Sequence, residues 1–222
     1  VLDGAFERTK LPETDESRQE LESIASAIKH LPPRSERRPE DGGDTGDPLR
    51  ERLIDSEVIR QGRILEFRID TVEAADGHRS TRDIAGHPGG VCTVRIDGRD
   101  RVLLVRQWRH ATGGPLLEIP AGGLNDGEDP HAAAIRELEE ETGFLATNMK
   151  AHGGFWMTPG FTTEFMYVFE ATELSPTQIN PDEDEVIEVD IVSSHEALRM
   201  IDDGRIQDAK SIASLLKVLS RP

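Results

Sequence analysis

Glu137, Glu140 and Glu141 stand within five residues of one another, in the run Glu137-Leu138-Glu139-Glu140-Glu141. In a helix, a rotation of ~100° per residue puts Glu140, Glu137 and Glu141 at about −60°, 0° and +40° around the axis, on one face. Like charges so spaced destabilise a helix by roughly 0.2–0.5 kcal/mol per pair. Arg136 is the only basic residue between Glu128 and Thr142, so a further cation is expected to neutralise the cluster. A hard divalent ion fits, because Mg²⁺ prefers carboxylate and carbonyl oxygens and keeps waters that bridge to phosphates. An ordinary acidic surface helix would carry similar glutamates. Two features argue for a ligand instead. Ile135, Leu138, Thr142 and Leu145 fill the adjoining sector, so the acidic face borders a buried stripe. The loop Glu118-Ile119-Pro120-Ala121-Gly122-Gly123 then brings two glycines just ahead of the helix, where backbone can approach a ligand and present carbonyls to it.

The elements that must hold these groups are legible in outline. Asp129 suits a cap, Pro130 a first helical position and Gly143 a stop, which bounds a helix over residues 130–142. Leu65, Phe67 and Ile69 alternate with Glu66, Arg68 and Asp70, predicting a strand with its apolar side buried. Asp76-Gly77 predicts a hairpin returning through residues 80–85. Residues 90–96, 102–108, 165–171 and 186–192 read as further strands, and residues 194–203 and 208–219 as helices. No internal repeat and no parallel βαβ series is present, so the expected class is α/β with a mixed sheet packed between helices.

Composition limits the partners. Among 222 residues, 26 basic and 43 acidic side chains give a net charge of −17, which disfavours non-specific binding to nucleic acid or an anionic bilayer. No apolar run approaches the roughly 20 residues of a membrane helix, and no signal-like segment opens the sequence, so a cytoplasmic setting is expected. Cys92, the single cysteine, excludes an intrachain disulfide, a Cys-based zinc site and an iron–sulfur cluster. Residues 1–50 read as a flexible acidic extension, in which Leu21, Ile24, Ile28 and Leu31 favour a short helix over residues 16–31. Residues 51–89 form an N-terminal β element, and residues 90–222 the main domain.

From Gly122 to Phe144 the sequence reads Gly-x5-Glu-x7-Arg-Glu-Leu-x-Glu-Glu-x-Gly-Phe, which resembles the Nudix hydrolase signature at every specified position. The resemblance implies an α/β/α sandwich with a mixed sheet, here preceded by an N-terminal strand and hairpin element and a flexible tail, and hydrolysis of a diphosphate linked to another moiety. The surroundings resemble the ADP-ribose pyrophosphatase branch. The stretches that carry this likeness are Arg82-Asp83-Ile84-Ala85-Gly86-His87-Pro88-Gly89-Gly90-Val91, Val105-Arg106-Gln107-Trp108-Arg109-His110, Thr158-Pro159-Gly160-Phe161-Thr162-Thr163-Glu164 and Asp208-Ala209-Lys210-Ser211. By that likeness Glu137, Glu140, Glu141 and the Ala121 carbonyl hold Mg²⁺, with Mn²⁺ as substitute. Arg82, Asp83, Arg109, Gly123, Thr158, Pro159, Gly160 and Glu164 contact the nucleotide. In the loop Asp182-Glu183-Asp184-Glu185 the likeness puts the catalytic base at Glu183 and a further metal contact at Glu185. The implied reaction is Mg²⁺-dependent hydrolysis of ADP-ribose to AMP and ribose 5-phosphate. Other nucleoside diphosphate derivatives, namely an oxidised purine nucleotide, a sugar nucleotide or a flavin dinucleotide, are the alternative substrates, and a non-catalytic nucleotide sensor is the alternative role. The likeness also implies a homodimer with exchanged N-terminal strands, in which Arg82 serves the partner's pocket.

Overall fold

The computed structural model describes residues 47–179, except 97 and 99, and residues 186–220. The helix expected over residues 16–31, and Glu183 and Glu185, lie outside the described residues. In chain order these form β1 (Arg52–Gln61), β2 (Glu66–Glu73), β3 (Arg79–Gly86), β4 (Gly90–Arg95), β5 (Arg101–Arg109), β6 (Gly114–Glu118), β7 (Ala121–Gly123), α1 (Pro130–Thr142), β8 (Phe144–Trp156), β9 (Phe165–Pro176), β10 (Ile187–Ser193), α2 (Ser194–Asp202) and α3 (Ala209–Leu219). None of these helices is long and apolar enough to cross a membrane.

The alternation of side chains along β4 and β9 feeds both faces of one sheet. Its order is β7-β4-β9-β8, with β4 and β9 parallel and the other pairs antiparallel. On one face Val91, Phe165, Tyr167 and Phe169 pack against Ala133, Ala134 and Leu138 of α1. On the other, Cys92, Val94, Met166 and Val168 meet Val102 and Leu104 of β5, Ala197 and Met200 of α2, and Leu215 and Val218 of α3. The mixed sheet thus lies between helical layers, as the α/β/α expectation requires. Burying side chains such as Phe169, Leu104 and Leu215 completely stabilises the layers by about 1.5–3 kcal/mol each. A second sheet joins β5 to β10 and β6. Cys92, at the centre, lies 3.2 Å from Ser214 Oγ, and burial pushes its thiol up to about 12.

The third sheet, β1-β2-β3, is an antiparallel meander. Its hairpin closes as the sequence predicts, with Gly77 N–H donating to the Ala74 carbonyl at 2.9 Å. The faces of β2, however, are the reverse of the expectation. Leu65 and Phe67 are 46% and 40% exposed, while Arg68 and Asp70 are buried. Arg68 Nε donates to Asp70 Oδ1 at 3.0 Å and Ser56 Oγ donates to the same oxygen at 2.6 Å. Polar groups satisfied in this way can be buried, and the apolar alternation falls on the open side.

The acidic helix matches its predicted bounds. Asp129 Oδ1 accepts from His131 N and Ala132 N at 3.0 and 3.1 Å. Gly143, with φ of 69°, ends the helix by donating to the Glu139 carbonyl, a left-handed conformation that glycine adopts without a Cβ penalty. Leu145 therefore belongs to β8 and not to the helix stripe.

Candidate active site

Glu141 is buried, and its Oε2 accepts the Ala121 N–H at 2.9 Å, which fastens β7 to the middle of the molecule. Glu137 lies directly over Gly122. A Cβ at that position would stand 1.9 Å from Glu137 Cδ and 2.0–2.2 Å from its oxygens, so only glycine lets the carboxylate sit there. Arg136 gathers the rest. Its Nη1 donates to Glu137 Oε1 at 2.7 Å and to Glu140 Oε2 at 2.9 Å, and its Nε and Nη2 donate to the two Glu128 oxygens at 2.9 and 3.0 Å. Nη2 also reaches the Gly123 carbonyl at 3.2 Å. The sequence expectation gave the work of neutralising these glutamates to a metal; the structure assigns a large part of it to Arg136. Hydrogen bonding from Arg136 holds the Glu128 carboxyl below the usual carboxylate range, and the same contacts hold the guanidinium firmly charged.

Gly122, Gly123, Arg136, Glu137 and Glu140 line a cleft of about 880 Å³. Of the residues singled out from the sequence, Ala121, Gly123, Glu137, Glu140, Arg109 and Glu164 line it together. Glu141 lines an adjoining recess of about 180 Å³. Arg82 and Asp83 lie on β3 outside the cleft of their own chain, and Arg82 pairs with Glu51 and donates to Ser80 Oγ at 2.9 Å. Thr158, Pro159 and Gly160 also lie outside it, in an exposed loop after β8. The residues that follow tie this loop to the rim. Phe161 O accepts from Ala85 N at 2.7 Å, and Thr163 Oγ1 accepts from His87 N at 2.8 Å, which clamps the His87-Pro88 turn on the cleft rim.

The sequence reading missed several lining residues. Gln61, Arg63 and Ile64 reach the cleft from the β1–β2 connection, and Lys210 reaches it from the first turn of α3. Only Lys210 had a local signal, within the Asp208-Ala209-Lys210-Ser211 run. Glu118 accepts from Arg109 Nη2 at 2.6 Å and from Arg109 Nε at 3.1 and 3.2 Å, and Lys210 Nζ stands 2.8 Å from Glu118 Oε2. Burial alone would raise the Glu118 carboxyl, but Arg109 and Lys210 outweigh it and hold the group below its ordinary value.

The donor set suits a hard divalent cation: Glu137, Glu140 and Glu141 with the Ala121 carbonyl supply only oxygens. Among the described residues no three carboxylates or imidazoles are already grouped as a chelate. Arg136 Nη1, a cation shared between the Glu137 and Glu140 carboxylates, shows that the cluster accommodates positive charge.

Comparison with known proteins agrees with this geometry. A NUDIX domain profile matches residues 86–215. The ADP-ribose pyrophosphatase of Bacillus subtilis (strain 168) is 37% identical over 165 residues, 73% of this chain and 89% of that protein. The GDP-mannose pyrophosphatase of Yersinia pestis (strain Pestoides F) is 40% identical over 139 residues, 57% of this chain and 69% of that protein. A crystal structure of an ADP compounds hydrolase superposes with a TM-score of 0.70 at 22% identity, covering 78% of this chain and 95% of that one, and so shares the fold. The profile covers more than half of the sequence, including the whole carboxylate helix and the glycines before it, and the chain accordingly belongs to the Nudix family, as a hydrolase.

Proposed function

We propose that the protein hydrolyses ADP-ribose to AMP and ribose 5-phosphate with Mg²⁺, as a cytoplasmic homodimer. The observation that carries this reading is that one cleft is lined both by Glu137, Glu140 and the Ala121–Gly123 backbone and by the cation Arg109. The first set suits metal ions and the guanidinium suits phosphate oxygens. Glu137, Glu140, Glu141 and the Ala121 carbonyl would hold the ions, joined by Glu185. Bound divalent ions lower the pKa of an attacking water and neutralise charge on the diphosphate. Arg109 binds the phosphates, Gly123 lets the chain pass close beside them, and Glu164 accepts hydrogen bonds from the nucleotide. Glu183 accepts the proton of the water. The Thr158-Pro159-Gly160 loop contacts the substrate from the rim. Arg82 and Asp83, remote from their own cleft, serve that of a partner protomer. The exposed apolar side chains Leu65 and Phe67 at the start of β2 support such a partner.

A sugar nucleotide is the second reading, and the 40% identity to a GDP-mannose pyrophosphatase favours it. The two readings share the site and differ in the group beyond the diphosphate. A panel of ADP-ribose, GDP-mannose, an oxidised purine nucleotide and a flavin dinucleotide, assayed with Mg²⁺ and with Mn²⁺, separates them. ADP-ribose is expected to have the highest kcat/KM; a hundredfold preference for another compound would overturn the assignment.

A further inference from the structure

We infer that Lys210 is a positioning residue for substrate binding, acting through Glu118 to fix the orientation of Arg109. The inference rests on the reading above that Arg109 binds the diphosphate. The three side chains come from the end of β5, the end of β6 and the first turn of α3. Glu118 is the buried centre, its side chain 3% exposed, whereas those of Lys210 and Arg109 are 11% and 36% exposed. The fork of Arg109 on Glu118 fixes the guanidinium plane, since a bidentate pair leaves little rotational freedom.

Lys210 fixes the acceptor of that fork. Arg109 Nη2 and Lys210 Nζ share Glu118 Oε2, at 2.6 and 2.8 Å, so the carboxylate is held in the orientation that Arg109 needs. Lys210 is itself held, because its Nζ also donates to Asp208 Oδ1 at 2.9 Å, and Asp208 accepts from Ser211 N at 3.0 Å as the cap of α3. Ser211 Oγ in turn accepts from Ile119 N at 2.9 Å, so the same helical turn also secures the segment running from Glu118 to Ala121. The Asp208-Ala209-Lys210-Ser211 run thereby acquires a physical role: it attaches the last helix to the Glu118–Arg109 pair.

A double-mutant cycle tests this, with ADP-ribose as substrate and folding checked by thermal melting. Arg109→Ala is expected to raise KM by roughly thirtyfold and Lys210→Met by roughly tenfold, the latter with kcat changed less than about threefold, the pattern of lost binding energy. The double variant should be no worse than Arg109→Ala within about twofold, and Lys210→Arg should bring KM back to within about threefold of wild type. Effects that multiply in the double variant would show Lys210 acting independently of Arg109 and overturn the inference, as would an unchanged KM in Lys210→Met. If Arg109→Ala itself left KM unchanged, the reading of Arg109 as a phosphate ligand would fall, and the inference with it. Should Lys210→Met not fold, Glu118→Gln takes its place in the cycle with the same expected non-additivity.

Discussion

One guanidinium, Arg136, ties together Glu128, Glu137, Glu140 and the Gly123 carbonyl. Removing it leaves three like charges close together and partly buried, so Arg136→Met is expected to lose roughly 1–3 kcal/mol of stability in urea unfolding. Added Mg²⁺ should recover part of the loss, whereas an unchanged midpoint would show that the guanidinium is not their counter-ion. Glu118 gives a pH signature. Its folded-state pKa lies below the ordinary 4.5, so its contribution is fully present above that value and is lost as pH falls through the lower folded value. Melting scans from about pH 6 to pH 3 should therefore show a steeper fall for wild type than for Glu118→Gln; parallel curves would contradict it. At this scale spacing alone predicts one helix face for Glu137, Glu140 and Glu141. It could not name what neutralises them, because side chains from Glu128 to Glu140 meet at Arg136 only once the helix and the preceding loop are folded together.

Among the elements, α1 was readable to the residue because its cap, first-turn proline and terminal glycine are local signals. The short strands were not. β6 and β7 carry little alternation, and β7 is Ala-Gly-Gly; both are strands by virtue of pairing with β5 and β4, which lie elsewhere in the chain. β2 shows the limit of periodicity: Leu65, Phe67 and Ile69 share one face and Arg68 and Asp70 the other, but which face is covered depends on the ion pair and on the neighbouring sheets. The contribution of Gln61–Ile64 to the cleft is likewise tertiary. The junction of β7 and α1 gives a sharp prediction. In Gly122→Ala the new methyl displaces Glu137, so kcat should drop at least about a hundredfold while the melting temperature moves by only a few degrees. Activity near wild type would mean that Glu137 is not needed where it stands.

For the whole molecule, a net charge of −17 surrounds a site meant for an anionic diphosphate, so attraction has to be local, from Arg109 and bound cations. The open apolar side of the N-terminal sheet is the other global feature. Sedimentation at micromolar concentration should give twice the 24.6 kDa chain mass, and Phe67→Asp should shift the protein toward monomer and lower activity; an active wild-type monomer would remove the shared-site arrangement. The proposed hydrolysis depends on the α1 carboxylates working on a diphosphate, and mass-spectrometric product analysis of ADP-ribose incubated with Mg²⁺ and either wild type or Glu141→Gln tests that most directly. Equal yields of AMP and ribose 5-phosphate from wild type, falling by about 10²–10³ in the variant, are predicted. Undiminished cleavage by Glu141→Gln, or no cleavage by wild type, would contradict it.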